Sequence, residues 1–326
     1  MTVAFGQLSR RTQLDRLRAA AHRALKRFDL VGADLRLVNH DFNATYRVDH
    51  PSGRFALRIN TNSRNKVGAA RAEATWVEAI ANDTDLLVAR PMRSSDGDLA
   101  IATTIDGIED ECAAVLYCWL DGPDLGERAS LRRLHEVGRA TALLHEHATH
   151  WNHPNPSSRP QIASIFMDET ELIVGDPRIQ RADMAVLAAA RAAMEERLAP
   201  VFASPALLIH GDLHIWNTKW VDGRLAIIDF DDCGFGVALQ DLAISAYYLR
   251  DRPGAEEALL AGYETHRPLP PHTREQFEAL VASRNLLLLN SLMPHVTAGV
   301  DEFVPSYIER TVHRLRGWLD TGTFEM

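Results

Sequence analysis

A short island of strand-forming sequence inside an otherwise helical stretch constrains this chain more than any other feature. Ala206-Leu207-Leu208-Ile209 reads as a buried strand, and Thr218-Lys219-Trp220-Val221 with Leu225-Ala226-Ile227-Ile228 reads as a hairpin closed by the Asp222-Gly223 turn. The strand must deliver the loop His210-Gly211-Asp212-Leu213-His214-Ile215-Trp216-Asn217, and the hairpin must deliver Asp229-Phe230-Asp231-Asp232. Two carboxylates, Asp212 and Asp229, and the amide of Asn217 are therefore expected to emerge near one another.

What surrounds the island sets the fold class. Upstream, Leu35-Arg36-Leu37-Val38, Ala44-Thr45-Tyr46-Arg47-Val48 and Arg54-Phe55-Ala56-Leu57-Arg58-Ile59 read as an antiparallel meander, with turns at Asn39 to Asn43 and at His50-Pro51-Ser52-Gly53. Before it, Leu14, Leu17, Ala21, Ala24, Leu25 and Phe28 fall at helical spacing, so the Arg-rich segment from Arg10 to Arg27 is expected to be a docked helix rather than a transit peptide. Ala69 to Ala81 reads as a helix, Leu86 to Pro91 and Leu99 to Thr104 as strands. The apolar run Ala113 to Leu120 ends in the turn Asp121-Gly122-Pro123. Beyond it the pattern becomes helical. Leu131, Leu134, Gly138, Thr141, His145 and Ala148 follow the N-cap Ser130, Met184 to Leu198 repeats the spacing, Thr273-x-x-Gln276 forms a capping box, and Pro305 suits the first turn of a last helix. The expected class is α+β: residues 1–116 form a small antiparallel-sheet lobe, 117–122 a hinge and 123–326 a larger, mainly helical lobe.

Charge and cysteine content exclude several roles. The first sixty residues hold 11 Lys or Arg against 5 Asp or Glu, so the overall net charge of −9 leaves −15 on the rest. A nucleic-acid partner is not expected, because phosphate neutralisation needs clustered basic groups. A cationic small substrate is better attracted. Cys112, Cys118 and Cys233 contain no C-x-x-C pair and are expected to be reduced, packed thiols. No apolar run reaches the length of a membrane span, and the expectation is a cytoplasmic protein of open oligomeric state. His145, Glu146, His147, His150 and His153 crowd one stretch, but a metal-binding H-E-x-x-H would need histidine where Thr149 stands. These histidines are expected at a helix end, facing solvent or the boundary between lobes.

The stretch from Leu208 to Leu242 resembles the aminoglycoside phosphotransferase and choline kinase family, the small-molecule branch of the protein-kinase-like fold, whose loop reads H-G-D-x-x-x-x-N. The resemblance covers nearly the whole chain in order. It implies ATP- and Mg²⁺-dependent transfer of a phosphoryl group to a hydroxyl. Asp212 would then orient the hydroxyl and accept its proton, and Asn217 and Asp229 would supply oxygens to Mg²⁺, a hard cation. His210 resembles the histidine that ties the catalytic loop to the core, and Asp241 the aspartate that braces the loop through its N–H groups. Asp231 stands where protein kinases carry the glycine of D-F-G; Asp231 and Asp232 could touch metal or substrate, or be solvated.

The nucleotide side departs from the protein-kinase pattern. The segment Asn39-His40-Asp41-Phe42-Asn43-Ala44-Thr45, in the place of the phosphate-covering loop, has no glycine. The chain's three lysines, Lys26, Lys66 and Lys219, leave Arg58 in the strand position of the phosphate-binding lysine, paired with Glu73; arginine offers a forked geometry instead. The connector Tyr117-Cys118-Trp119-Leu120 would present backbone groups to adenine. The leading expectation is a kinase of a small, amine-bearing alcohol. The run Ile228 to Asp232 with Leu239-Gln240-Asp241-Leu242 is also similar to a bacterial stress-response branch that phosphorylates protein Ser/Thr, and the missing glycines and lysine leave open a nucleotide-binding regulator.

Overall fold

The structure is a computed structural model that describes residues 3–40, 42–61, 66–126, 129–294 and 297–326. The chain divides into two units, Met1–Asp121 with Asn155–Arg159 and His295–Glu302, and Gly122–Pro154 with Pro160–Pro294 and Phe303–Met326. Segments 155–159 and 295–302 thus group with the first unit, although they lie within the 123–326 range of the sequence reading.

In the first unit, α1 (Arg10–Lys26) starts at Ser9, whose hydroxyl accepts the Thr12 N–H at 3.3 Å. It is docked, as expected: Arg16 and Arg23 donate to the carbonyls of Asp106 and Thr104, while Leu17, Ala20, Ala21, Ala24 and Leu25 turn inward. Strands β1 (Asp34–His40), β2 (Asn43–His50) and β3 (Gly53–Asn60) form the meander, followed by α2 (Val67–Asp83), β4 (Leu87–Val88), β5 (Ile101–Thr103) and β6 (Cys112–Cys118). β1, β2, β3, β6 and β5, in that order, make one antiparallel sheet.

β6 is apolar throughout because both faces of the sheet are covered. Its Cys112, Ala114 and Leu116 pack in the core that holds α1, and its Ala113, Val115 and Tyr117 pack in the core that holds Ala70 and Ala74 of α2. Two expectations are corrected here. β1 runs on to His40, paired with Ala44 after a register shift between Leu37 and Asn39, so most of the supposed loop over 39–45 is strand; Asp41 lies outside the described residues. Tyr117 and Cys118, the first residues of the expected hinge, are strand residues of β6, because Ala56 and Phe55 of β3 pair with them.

The second unit is built on α3 (Leu131–His150), α4 (Arg181–Phe202), α5 (Ala238–Tyr247), α6 (Ala255–Glu264), α7 (Arg274–Leu292) and α8 (Val300–Thr321), the last belonging to this unit from Phe303 onward. α3 and α6 meet backbone to backbone through a glycine on each. A Cβ at Gly138 would fall 1.8 Å from the Leu259 carbonyl oxygen, and one at Gly262 would fall 1.9 Å from that of His135. The capping box at Thr273 and Gln276 forms with both hydrogen bonds. Pro305 lies inside α8, not in its first turn, since the helix begins at Val300. The β island appears as β7 (Leu207–Ile209), β8 (Thr218–Val221) and β9 (Arg224–Ile227), and β7 gains an unanticipated partner, β10 (Gly234–Gly236).

Candidate active site

The hairpin register sets the second carboxylate one residue beyond the partner of Asn217. Thr218 pairs with Ile227, and the Ile228 N–H donates to the Asn217 carbonyl at 3.0 Å, so Asp229 is the next residue along. Asp229 leaves the strand at φ 64°, a left-handed conformation that aspartate tolerates better than most side chains, and its surface is exposed. The Asn217 side chain is buried, and its Nδ2 donates to the Asp212 carbonyl at 2.9 Å and to Asp212 Oδ2 at 3.1 Å. With both amide hydrogens committed, Asn217 Oδ1 is left as an acceptor. Asn217 Oδ1 and the Asp229 carboxylate are hard oxygen donors, the set that suits Mg²⁺.

Asp241, in the first turn of α5, braces the loop that carries Asp212. It accepts the N–H groups of His210 at 3.0 Å and Gly211 at 2.8 Å, and His145 Nε2 lies 3.1 Å from it. Burial raises its carboxyl, but the His145 hydrogen bond and charge and the Gly211 N–H outweigh that and hold it below the usual range. His145 Nδ1 in turn meets the Tyr263 hydroxyl of α6 at 3.0 Å. His145 is therefore fully buried and does not face solvent; its 3–4 spacing with Leu134 and Thr141 puts it on the inner face of α3. His150 is exposed, and among the described residues no cluster of three or more His, Cys, Asp or Glu could hold a metal.

His210 is fully buried, which lowers its pKa toward the neutral ring. Its Nε2 points at the Ile228 carbonyl at 3.2 Å and its Nδ1 accepts the Asp212 N–H at 3.3 Å, an arrangement that assigns the proton to Nε2. One imidazole thereby links the loop to the end of β9. Gly211 has φ 79°, and a Cβ there would lie 2.4 Å from the Asp232 carbonyl oxygen. The Ser245 hydroxyl donates to the Leu213 carbonyl at 2.5 Å and holds the loop from α5.

Two partners of Asp212 escaped the sequence reading. Arg284 of α7, buried at 6% exposure, pairs through Nη2 with Asp212 Oδ1, and the same nitrogen reaches the Tyr248 hydroxyl at 3.1 Å. His214 Nε2 lies 3.4 Å from Asp212 Oδ2, and its ring rests against Tyr248 with centroids 4.2 Å apart. Burial alone would raise the Asp212 carboxyl; Arg284 and His214 reverse this and bring it down to about 2. The signal for Arg284 was present, since a charge inside the apolar run Ala279 to Leu289 must be buried with a partner. Asp232 has open surface, yet the protein around it and the charges of Asp231 and Asp212 push its carboxyl well above the usual range. Asp231 is buried.

In the first unit, Arg58 and Glu73 are brought together as a buried pair. Arg58 Nη2 lies 2.5 Å from Glu73 Oε2, Arg58 Nε donates to Asn60 Oδ1 at 3.1 Å, and the Tyr117 hydroxyl donates to Glu73 Oε1 at 2.8 Å. Strand alternation causes this, because Arg58 sits opposite Val115 on the α2 face of the sheet. The backbone donors expected for adenine are partly committed: the Cys118 N–H goes to the Arg90 carbonyl at 2.8 Å and the Trp119 N–H to the Arg54 carbonyl at 3.1 Å. Trp119 instead offers its indole N–H to Asp121 Oδ1 at 3.1 Å, under Arg47.

Comparison with known proteins agrees with this architecture. The chain is 24% identical to the amicoumacin kinase of Bacillus subtilis (strain 168) over 226 residues, which span 69% of this chain and 66% of that protein. Among solved structures, a microcompartment-associated aminopropanol kinase superposes with a TM-score of 0.73 at 24% identity, over 94% of this chain and 99% of that one. An amicoumacin kinase in complex with AMP-PNP, Ca²⁺ and Ami gives 0.71 at 16% identity, over 91% and 93%. At these identities the structural likeness is one of fold, and the fold is that of the protein-kinase-like phosphotransferases. The model of the phosphotransferase enzyme family matches residues 34–275, most of the chain, and the chain belongs to that family.

Proposed function

We propose that this chain is an ATP- and Mg²⁺-dependent kinase that moves the γ-phosphate to a hydroxyl of a small, amine-bearing molecule. One observation carries the reading: Asp212 presents a partly exposed, ionised carboxylate whose loop is held by Asp241, His210 and Asn217, a rigid base at a fixed point. Support for a small acceptor comes from relatives named as aminopropanol and amicoumacin kinases. Among the described residues no helix is long and apolar enough to cross a membrane.

In this mechanism Asp212 orients the acceptor hydroxyl, whose oxygen forms a bond to the γ-phosphorus as the bond to the β,γ-bridging oxygen breaks and ADP leaves. The hydroxyl proton passes to Asp212. Asn217 Oδ1 and Asp229 would hold Mg²⁺, which when bound neutralises charge on the polyphosphate oxygens. Asp241 and His210 keep the loop in place. Arg58, steadied by Glu73, is assigned to the α- and β-phosphates, and the connector at Tyr117 and Trp119 to the adenine side. The test is ADP release from Mg-ATP over a panel of amino alcohols, aminoglycosides and Ser/Thr peptides. Acceptor-dependent turnover on an amino alcohol or aminoglycoside is expected; turnover confined to peptides, or none on any hydroxyl, rejects the reading.

A further inference from the structure

Arg284 is a costly residue to place where it stands. Its guanidinium is buried on α7, and within its own unit the carboxylate in contact with it is Asp212, the group assigned to the acceptor proton. Nη2 serves both Asp212 Oδ1 and the Tyr248 hydroxyl, whereas Nε is buried with no hydrogen-bond partner among the described residues. Tyr248 also lies under the guanidinium, 5.8 Å from ring centroid to Cζ, and His214 packs on the same tyrosine, so the fork is fixed in direction. A planar fork with donors to spare matches a carboxylate with two oxygens.

We propose that Arg284 binds a carboxylate carried by the acceptor, so that the substrate bears an anionic group as well as its hydroxyl and amine. This inference rests on the kinase reading above and narrows its acceptor class. It also revises the expectation of a purely cationic acceptor drawn to bare carboxylates, because Arg284 already meets the most central of them.

Two matched pairs test it: 2-aminoethanol against serine, and 1-aminopropan-2-ol against threonine, each pair differing by one carboxylate. ADP release and calorimetric binding in the presence of Mg-AMP-PNP are measured for the parent, Arg284→Lys and Arg284→Met, with circular dichroism as the check on folding. In the parent the carboxylate-bearing member of each pair is expected to have the higher kcat/KM, on the order of tenfold or more. Both variants should lower that value on the order of 10²-fold, and that of the amino alcohol by a smaller factor that reports the lost contact with Asp212; Arg284→Lys keeps the charge and loses the fork. Equal losses for both members, or a raised KM for ATP with all acceptors, would assign Arg284 to Asp212 alone or to the nucleotide and overturn the proposal. So would a parent that prefers both amino alcohols, or binds none of the four. Arg284-dependent binding of serine or threonine without turnover would instead leave the carboxylate site standing and reject phosphoryl transfer.

Discussion

Asp212 has two oxygens and four neighbours competing for them. Arg284 takes Oδ1, Asn217 and His214 share Oδ2, and in the proposed mechanism the acceptor hydroxyl enters among them. Asp212→Asn is expected to reduce turnover by a factor on the order of 10²–10⁴ with ATP affinity nearly intact, because only a transition-state contact is lost. The same change strips Arg284 of its counter-charge, so the variant should also lose roughly 1–3 kcal/mol in denaturant unfolding. Full turnover in Asp212→Asn would remove it from the base role. Asp229 can be checked apart from chemistry. Asp229→Ala should abolish the Mg²⁺-dependent part of the thermal stabilisation given by ATP, and an undiminished shift would show that it is no ligand. The meeting of Asp212 and Asn217 was legible in the sequence because strand and hairpin geometry ties them together within a short stretch. Arg284, 72 residues from Asp212, was not, since periodicity shows that a helix is buried but not which neighbour meets a given charge on it.

Among the elements, α3, α5 and α6 meet at a hydrogen-bonded chain from Tyr263 through His145 to Asp241 and on to the loop N–H groups. Asp241→Asn replaces one accepting oxygen by an amide nitrogen among three donors. It is expected to cost about 3 kcal/mol in unfolding free energy and to lower turnover without changing which acceptors are used. A variant as stable as the parent would mean that the brace is slack. Helices announced themselves through caps and spacing: Ser130 and Thr273 cap α3 and α7 where their sequences place them. β10 did not, because Gly234-Phe235-Gly236 has no alternation to read and becomes a strand only by pairing with β7. The extent of β1 was missed for a related reason: Asn39 and His40 look like turn residues, and cross-strand pairing with Thr45 and Ala44 overrides that preference.

At the scale of the molecule, the acidity of the chain suggested strong attraction of a cationic acceptor, but Arg284 and the oppositely charged Asp212 largely cancel at short range. The kcat/KM of the preferred acceptor should therefore change by less than a factor of about three between low and moderate salt, measured at constant Mg²⁺. A steep fall would restore the bare-carboxylate picture. The fold class was readable because strand alternation gives way to helical spacing near Asp121, where the two units also divide. The glycine contact between α3 and α6 was not readable, for a glycine in a helix looks like a weakness until its neighbour is known. That contact limits how the protein can evolve. Exchanging a helical glycine for alanine is a standard route to a more heat-resistant enzyme, worth about 0.4–1 kcal/mol where space allows. At Gly138 and Gly262 the opposing carbonyl occupies that space, and no repacking of side chains can clear it. A lineage or a mutant library adapting to heat must hold these two positions fixed and find its gains elsewhere.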